Sequence, residues 1–202
     1  ATRSNGGAGT QTAGLSFGGT PGDSTYLANT EEYDGSSWTT SNSMSVARGM
    51  GARAGTQTSA MYSGGQNPPS TFKDSVEQYD GTSWTTTTAL TAATSTLGGD
   101  GASNTASVVF GGNTPAANRV STTLEFSSTT NVITPSSFAA GGNMPVAKRV
   151  GGSSTGGSIV ALTFGGDTLP MAAGQPQVNT TEEYDGSSWT AGGTLNTPRF
   201  SL

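Results

Sequence analysis

The sequence predicts an all-β protein of the β-propeller type, with about four blades of four antiparallel strands each. One observation is a diglycine that closes an apolar alternating run four times, at Gly18-Gly19, Gly64-Gly65, Gly111-Gly112 and Gly165-Gly166. The first glycines stand 46, 47 and 54 residues apart, and a period of roughly 40 to 50 residues marks propeller blades. A second observation is the aromatic word that follows: Tyr33 with Trp38, Tyr79 with Trp84, and Tyr184 with Trp189. The third period keeps Phe126 in the Tyr slot but has Asn131 where Trp is expected, with Val132 as the nearest apolar residue, so blade three is expected to be the weakest. A third observation is the Asp-Gly pair between Tyr and Trp in the other three periods.

The elements of one period follow in order. A first strand is expected around Asn5 to Gly9. In the second strand Leu15 and Phe17 alternate with Gly14 and Ser16; the counterparts are Met61, then Val108 and Phe110, then Leu162 and Phe164. The diglycine lets the chain leave that strand at dihedrals closed to other residues. Third and fourth strands are expected at Glu31 to Asp34 and Ser37 to Thr39, joined at Asp34-Gly35, a strong hairpin signal because both central residues tolerate positive φ. The same turn is expected at Asp80-Gly81 and Asp185-Gly186. The chain divides into repeats of roughly 1–47, 48–94, 95–148 and 149–202, one propeller region in all. Tyr and Trp recur at one position per blade, so they read as seals between blades, each stabilising by about 1.5–3 kcal/mol on burial.

Composition bounds the function. Leu, Ile, Val and Phe make up 28 of 202 residues, below the roughly 20% at which disorder becomes a serious reading. The net charge of −5, from 8 basic and 13 acidic residues, is too small for a typical disordered chain, and the apolar residues recur at fixed positions. The few scattered Lys and Arg leave no footprint for nucleic acid. No run of 18 apolar residues suggests membrane insertion. The opening Ala1-Thr2-Arg3 has neither Met nor an apolar signal region, which suggests a mature chain or an excerpt. With no Cys and no His, disulfides, thiolate or His-containing metal sites and Ser-His or Cys-His nucleophiles are excluded within these residues. Glu31 and Glu32 are neighbours on a strand and point to opposite faces, as do Glu182 and Glu183, so neither makes a catalytic pair. Asp34, Asp80 and Asp185 are explained by the turn. No metal and no cofactor are expected.

Arg, then an apolar strand ending in Gly-Gly, then Tyr, then Trp resembles the kelch repeat over essentially the whole chain. Arg48, Arg149 and Arg199 match the family's arginine, the last as Pro198-Arg199, and Arg3 matches within one residue; the Tyr-to-Trp spacing is one residue shorter than usual. Gly-Thr-Gln-Thr at 9–12 and 55–58, with Tyr-Asp-Gly-Ser-Ser-Trp, is similar to the low-charge kelch-like arrays of marine tailed bacteriophages. The resemblance implies a non-enzymatic structural or adhesion protein in a virion or outside the cell: a fibre, tail or capsid-surface component in many copies, beside other virion or surface proteins, contacting host glycans. A passive spacer is the alternative, and a polysaccharide hydrolase a third reading. Copper radical oxidases resembling galactose oxidase need His and a Tyr-Cys link, which this chain lacks. Leu195 to Leu202 repeats the element at Ala1 to Asn5, so an excerpt of a five- to seven-blade propeller is expected, with a four-blade ring as the alternative.

Loop lengths point to one end of the blades. From the first glycine to the aromatic is 15 residues in three periods and 19 in the fourth. From Tyr33 to Arg48 is 15, but from Phe126 to Arg149 is 23, an excess placed most simply after strand four. Both excesses then fall at the end that carries the connections after strands two and four. Variable loops on a rigid scaffold are where binding residues ride, which nominates Tyr26, Phe72, Lys73, Arg119, Met171 and Gln175, with Ile133 to Lys148 joining them. The recurring arginines border this end; their repetition implies hydrogen bonds to neighbouring loop carbonyls before any ligand.

Overall fold

The computed structural model describes residues 4–22, 25–67, 69, 71–116, 119–128, 137–148, 152–153, 160–168 and 177–199. Among them there are strands and turns and no helix. The strands are β1 (Gly6–Thr10), β2 (Ala13–Phe17), β3 (Thr30–Tyr33), β4 (Trp38–Ser41), β5 (Ala52–Thr56), β6 (Ser59–Ser63), β7 (Gln66–Asn67), β8 (Thr71–Phe72), β9 (Val76–Tyr79), β10 (Trp84–Thr87), β11 (Gly98–Ser103), β12 (Ala106–Phe110), β13 (Thr123–Ser127), β14 (Ser137–Ala140), β15 (Gly152–Ser153), β16 (Ala161–Phe164), β17 (Thr181–Tyr184) and β18 (Trp189–Ala191).

They form four antiparallel four-stranded sheets, one per period: β1-β2-β3-β4, β5-β6-β9-β10, β11-β12-β13-β14 and β15-β16-β17-β18, here sheets 1 to 4. The small pair β7-β8 sits in the loop between β6 and β9. The first strands lie together: β5 packs against both β1 and β11, and β11 touches β15. They are also tied by backbone. Ser4, Met50 and Thr96 hold the same place one period apart, all with φ between 55° and 61°. The Met50 N–H donates to the Ser4 carbonyl (3.2 Å) and the Thr96 N–H to the Met50 carbonyl (2.7 Å). A left-handed conformation costs a non-glycine residue roughly 1–2 kcal/mol, and each of these two bonds repays part of that strain.

The diglycines behave as expected: Gly18 and Gly19 have φ of 64° and 90°, and the other three pairs repeat those values closely. A side chain on Gly18 would also meet the Arg48 carbonyl at 2.6 Å. Strand two shows why the apolar pattern differs between sheets. In β2 burial alternates, whereas in β6 and β12 four consecutive residues are buried, because sheets 2 and 3 have a neighbour on each face.

Three expectations are corrected. The Asp-Gly turn is not a two-residue hairpin. Tyr33 pairs with Trp38 across four residues, and of these only Gly35 has positive φ; the Asp34 carboxylate instead accepts the N–H groups of Ser36 and Ser37, each at 2.8 Å. The fourth strand of sheet 3 is not at Asn131-Val132, which lie outside the described residues. It is β14, where Phe138 stands in register with Phe126 as each Trp does with its Tyr. The excess of the third period therefore lies between strands three and four. That is the opposite end of the sheet from the loops after strand two, so the two length excesses do not share a face.

Candidate functional site

Charged and polar side chains are concentrated where one sheet meets the next. Arg48, which follows sheet 1, is wholly buried and donates through Nη1 to Glu77 Oε1 of β9 at 2.6 Å and through Nη2 to the Tyr62 carbonyl at 3.1 Å. Its guanidinium also lies 5.1 Å from the centre of the Tyr62 ring. The carbonyl it meets lies within strand β6 rather than in a loop, and an ion pair joins it. In the fourth period the equivalent residue is Lys148, not Arg149: Met44 to Arg48 aligns with Met144 to Lys148, and buried Lys148 pairs with Glu182 at 3.1 Å. Arg149 itself is outside the described residues. A third buried pair joins Arg119 to Asp167, across sheets 3 and 4.

The aromatics seal the same boundaries. Trp84 Nε1 donates to Thr30 Oγ1 of sheet 1 (2.8 Å) and its ring meets Phe17 edge-on at 4.9 Å. Trp189 repeats this on sheet 3, with Thr123 Oγ1 at 3.1 Å and Phe110 at 4.8 Å. The Tyr79 hydroxyl donates to Glu32 and accepts from Ser41 Oγ, and the Tyr184 hydroxyl donates to Glu125. Burial, and after it the facing carboxylate, pushes both tyrosines up to about 12. At the turn end, the N–H groups and hydroxyls around Asp34 and Asp185 hold those carboxyls down at about 2, and Asp80 is lowered by its own Ser83 and Thr82 N–H groups.

The boundary between sheets 2 and 3 departs from this at the ion-pair and aromatic positions, and the departures match in pairs. Where the others carry Phe opposite Gly, as in Phe17 with Gly6 and Phe110 with Gly98, sheet 2 has Ser63 opposite Ala52. Sheet 2 presents Val76 and Gln78 in place of Thr and Glu, and sheet 3 offers no Trp there and has Phe126 in place of Tyr. Thr94 and Leu124 replace the cation and its carboxylate, and together they border a small cavity of about 50 Å³. The contact is apolar instead, built from Ala52, Met61, Val76, Leu90, Val109 and Phe126.

The residues nominated from loop length fare unequally. Tyr26 and Phe72 are each tied to Gln66: Gln66 Nε2 donates to Tyr26 Oη at 2.8 Å, and Gln66 is in register with Phe72 across β7 and β8. All three are half-buried. Backbone bonds fix the cluster, with Gln66 and Gly49 exchanging N–H and carbonyl at 2.9 and 3.0 Å and Ser95 doing the same with Asn113. Lys73 is beside it, its backbone bonded to Gly65 and Thr94. Arg119 is held by Asp167. Met171 and Gln175 are outside the described residues. Gln66 was not singled out in the sequence because nothing local marks a glutamine whose partner lies 40 residues away.

A larger cleft of about 430 Å³ opens on sheet 1, lined by Gln11, Tyr33, Trp38 and Arg53 among small residues of the first strands. Arg53 is exposed, and sequence spacing gave no reason to select it. No group of three or more acidic side chains with metal-binding geometry occurs among the described residues.

No protein-family model matches the chain, and no curated protein matches it. Solved structures do. The chain is similar in fold to YjhT. The superposition covers 98% of this chain and 72% of YjhT with a TM-score of 0.78, at 12% sequence identity, a likeness of fold alone.

Proposed function

We propose that the four sheets are successive blades of a kelch-like propeller, and that the protein is a non-enzymatic structural and adhesion component of a virion or another extracellular assembly, touching host glycans through its loops. The observation that carries the binding part is the cluster of Tyr26, Gln66 and Phe72. Aromatic faces suit the apolar side of a sugar ring, and a neighbouring amide suits its hydroxyls. The recurrence of one four-stranded sheet per period and the adjacent first strands support the propeller reading.

A non-catalytic role is supported by how the acids are used. Glu32, Glu77, Glu125, Asp167 and Glu182 face a tyrosine or a cation of the adjoining element, and Asp34, Asp80 and Asp185 close turns. A single small cluster gives weak affinity, so useful adhesion requires many copies.

The test is a glycan array probed with the protein displayed multivalently on beads. Binding to a defined set of glycans, lost in Tyr26→Ala and in Phe72→Ala, is the expected result. Uniform silence on the array favours the spacer reading, and release of sugar from a bacterial polysaccharide would replace both with a hydrolase.

A further inference from the structure

The boundary between sheets 3 and 4 repeats the ion pair of the boundary between sheets 1 and 2 with three residues changed, and each change removes something that the first pair relies on. Around Glu77 both carboxylate oxygens are filled. Oε1 accepts from Arg48 Nη1 at 2.6 Å and Oε2 from the Ser45 N–H at 2.8 Å, while Tyr62, in register with Glu77, sets its ring 5.1 Å from the guanidinium. In the fourth period the carboxylate is Glu182, in register with Thr163. Pro145 stands at the position of Ser45 and has no N–H to give. Lys148 replaces a forked guanidinium with a single ammonium, and Thr163 replaces a phenol ring with a hydroxyl.

The polar groups of this second pair are buried. Lys148 and Thr163 are at 0% exposure and Glu182 at 5%. Thr163 Oγ1 and Glu182 Oε2 have no hydrogen-bond partner among the described residues, although Lys148 Nζ approaches Oε2 to 3.1 Å as an ion pair. The bond from the ammonium to Thr180 Oγ1 is long, at 3.5 Å. Lys148 therefore has donors to spare, Glu182 lacks one, and the Thr163 hydroxyl is able to donate or accept. Buried polar atoms without a partner are costly, and ordered water is the usual remedy.

We infer that the boundary between sheets 3 and 4 is a binding site for an internal water molecule, which donates to Glu182 Oε2 and joins it to Thr163 Oγ1 beside the Lys148 ammonium. The chemistry selects water over an ion. Lys148 and Glu182 cancel in charge, so an added cation meets the ammonium and an added anion meets the carboxylate, with no net charge to hold either. A neutral molecule that both donates and accepts suits all three groups, and the ring that distinguishes Tyr62 from Thr163 is larger than the share of roughly 30 Å³ that one water takes. The boundary between sheets 2 and 3 has no such need: Val109 and Leu124 replace the hydroxyl and the carboxylate, and Thr94 Oγ1 donates to the Ala92 carbonyl at 2.9 Å.

A high-resolution crystal structure of the chain tests this directly. Density for a water within about 3.2 Å of both Thr163 Oγ1 and Glu182 Oε2 is expected. Water oxygen-17 relaxation, which counts waters held inside a protein for longer than its tumbling time, gives an independent reading in solution. The triple variant Pro145→Ser, Lys148→Arg and Thr163→Tyr installs the residues of the boundary between sheets 1 and 2 and should lower that count by one, with circular dichroism unchanged. Protein atoms alone filling both acceptors, an ion identified in that density by its contact distances, or an equal count in wild type and variant would each overturn the inference. The crystallographic reading needs no variant, so it decides even if the triple variant fails to fold.

Discussion

The Arg48–Glu77 pair offers a measurement of how the sheets are matched. Both side chains are buried, at 0% and 1% exposure. Replacing Glu77 with Leu leaves a buried guanidinium with only the Tyr62 carbonyl and Ser75 Oγ, at 3.1 and 3.3 Å. Replacing Arg48 with Thr leaves a buried carboxylate whose remaining donor is the Ser45 N–H at 2.8 Å. Breaking one side of such a pair costs about 3–5 kcal/mol, a large part of a total stability of roughly 5–15 kcal/mol. The double variant Arg48→Thr with Glu77→Leu copies Thr94 and Leu124, which the protein already tolerates at the corresponding place. Its main penalty is the cavity. The 50 Å³ seen beside Thr94 and Leu124, at about 24 cal/mol per Å³, corresponds to about 1.2 kcal/mol. Urea unfolding followed by circular dichroism on all four proteins should therefore give a coupling energy of at least about 3 kcal/mol. A double variant that loses the sum of the two single losses would refute the reasoning.

Trp84→Phe keeps the ring against Phe17 and Tyr79 but removes the bond to Thr30, and urea melts should show a loss of about 1 kcal/mol, against about 3–5 kcal/mol for Trp84→Ala. Gly64→Ala forces a side chain into φ 65° and to 2.5 Å from the Thr94 carbonyl, so thermal unfolding should reveal a loss above about 2 kcal/mol. Tyr79 and Tyr184, raised to about 12 from 10, keep their protons in the fold while the unfolded chain loses them. Their contribution is whole below pH 10 and disappears as pH rises through 12, so the urea midpoint should fall across that window and fall less in Tyr79→Phe. Asp34 and Asp185, lowered to about 2 from 3.8, contribute above pH 3.8 and lose that contribution as pH drops through 2; a midpoint insensitive to acid in that range would contradict their turn bonds.

What was legible in the sequence was local. The diglycines, the Tyr-Trp word and the alternation of Leu15 with Phe17 each act within one strand or turn, and the four sheets follow them closely. Whatever depends on a partner one period away was hidden. Ser63, Val76, Gln78 and Thr94 look like random drift until their counterparts across the boundary are seen. Lys148 was passed over for Arg149 because the family pattern calls for an arginine, while the alignment with Met44 to Arg48 and the distance to Glu182 decide for the lysine. Asn131 was assigned the Trp position because spacing was counted through an insertion, while the register with Phe138 reveals where the extra residues went. The loop cluster was half legible: aromatic residues in a variable loop drew notice to Tyr26 and Phe72, but the residue that unites them is a glutamine.

The pairing of unlike boundaries makes the order of the repeats non-interchangeable. Were sheet 4 set against sheet 2, Trp189 would point its indole N–H at Val76, and a buried donor without an acceptor costs about 1–3 kcal/mol. Such a mis-threaded arrangement is rejected by chemistry even though every repeat has nearly the same backbone. Duplication of the second repeat alone would meet the same obstacle, because its Trp84 would face Val76, whereas the first repeat carries both a Trp38 donor and a Thr30 acceptor and could follow itself. Growth of an array of this kind is therefore open to the repeats that carry both halves and closed to the second repeat by itself.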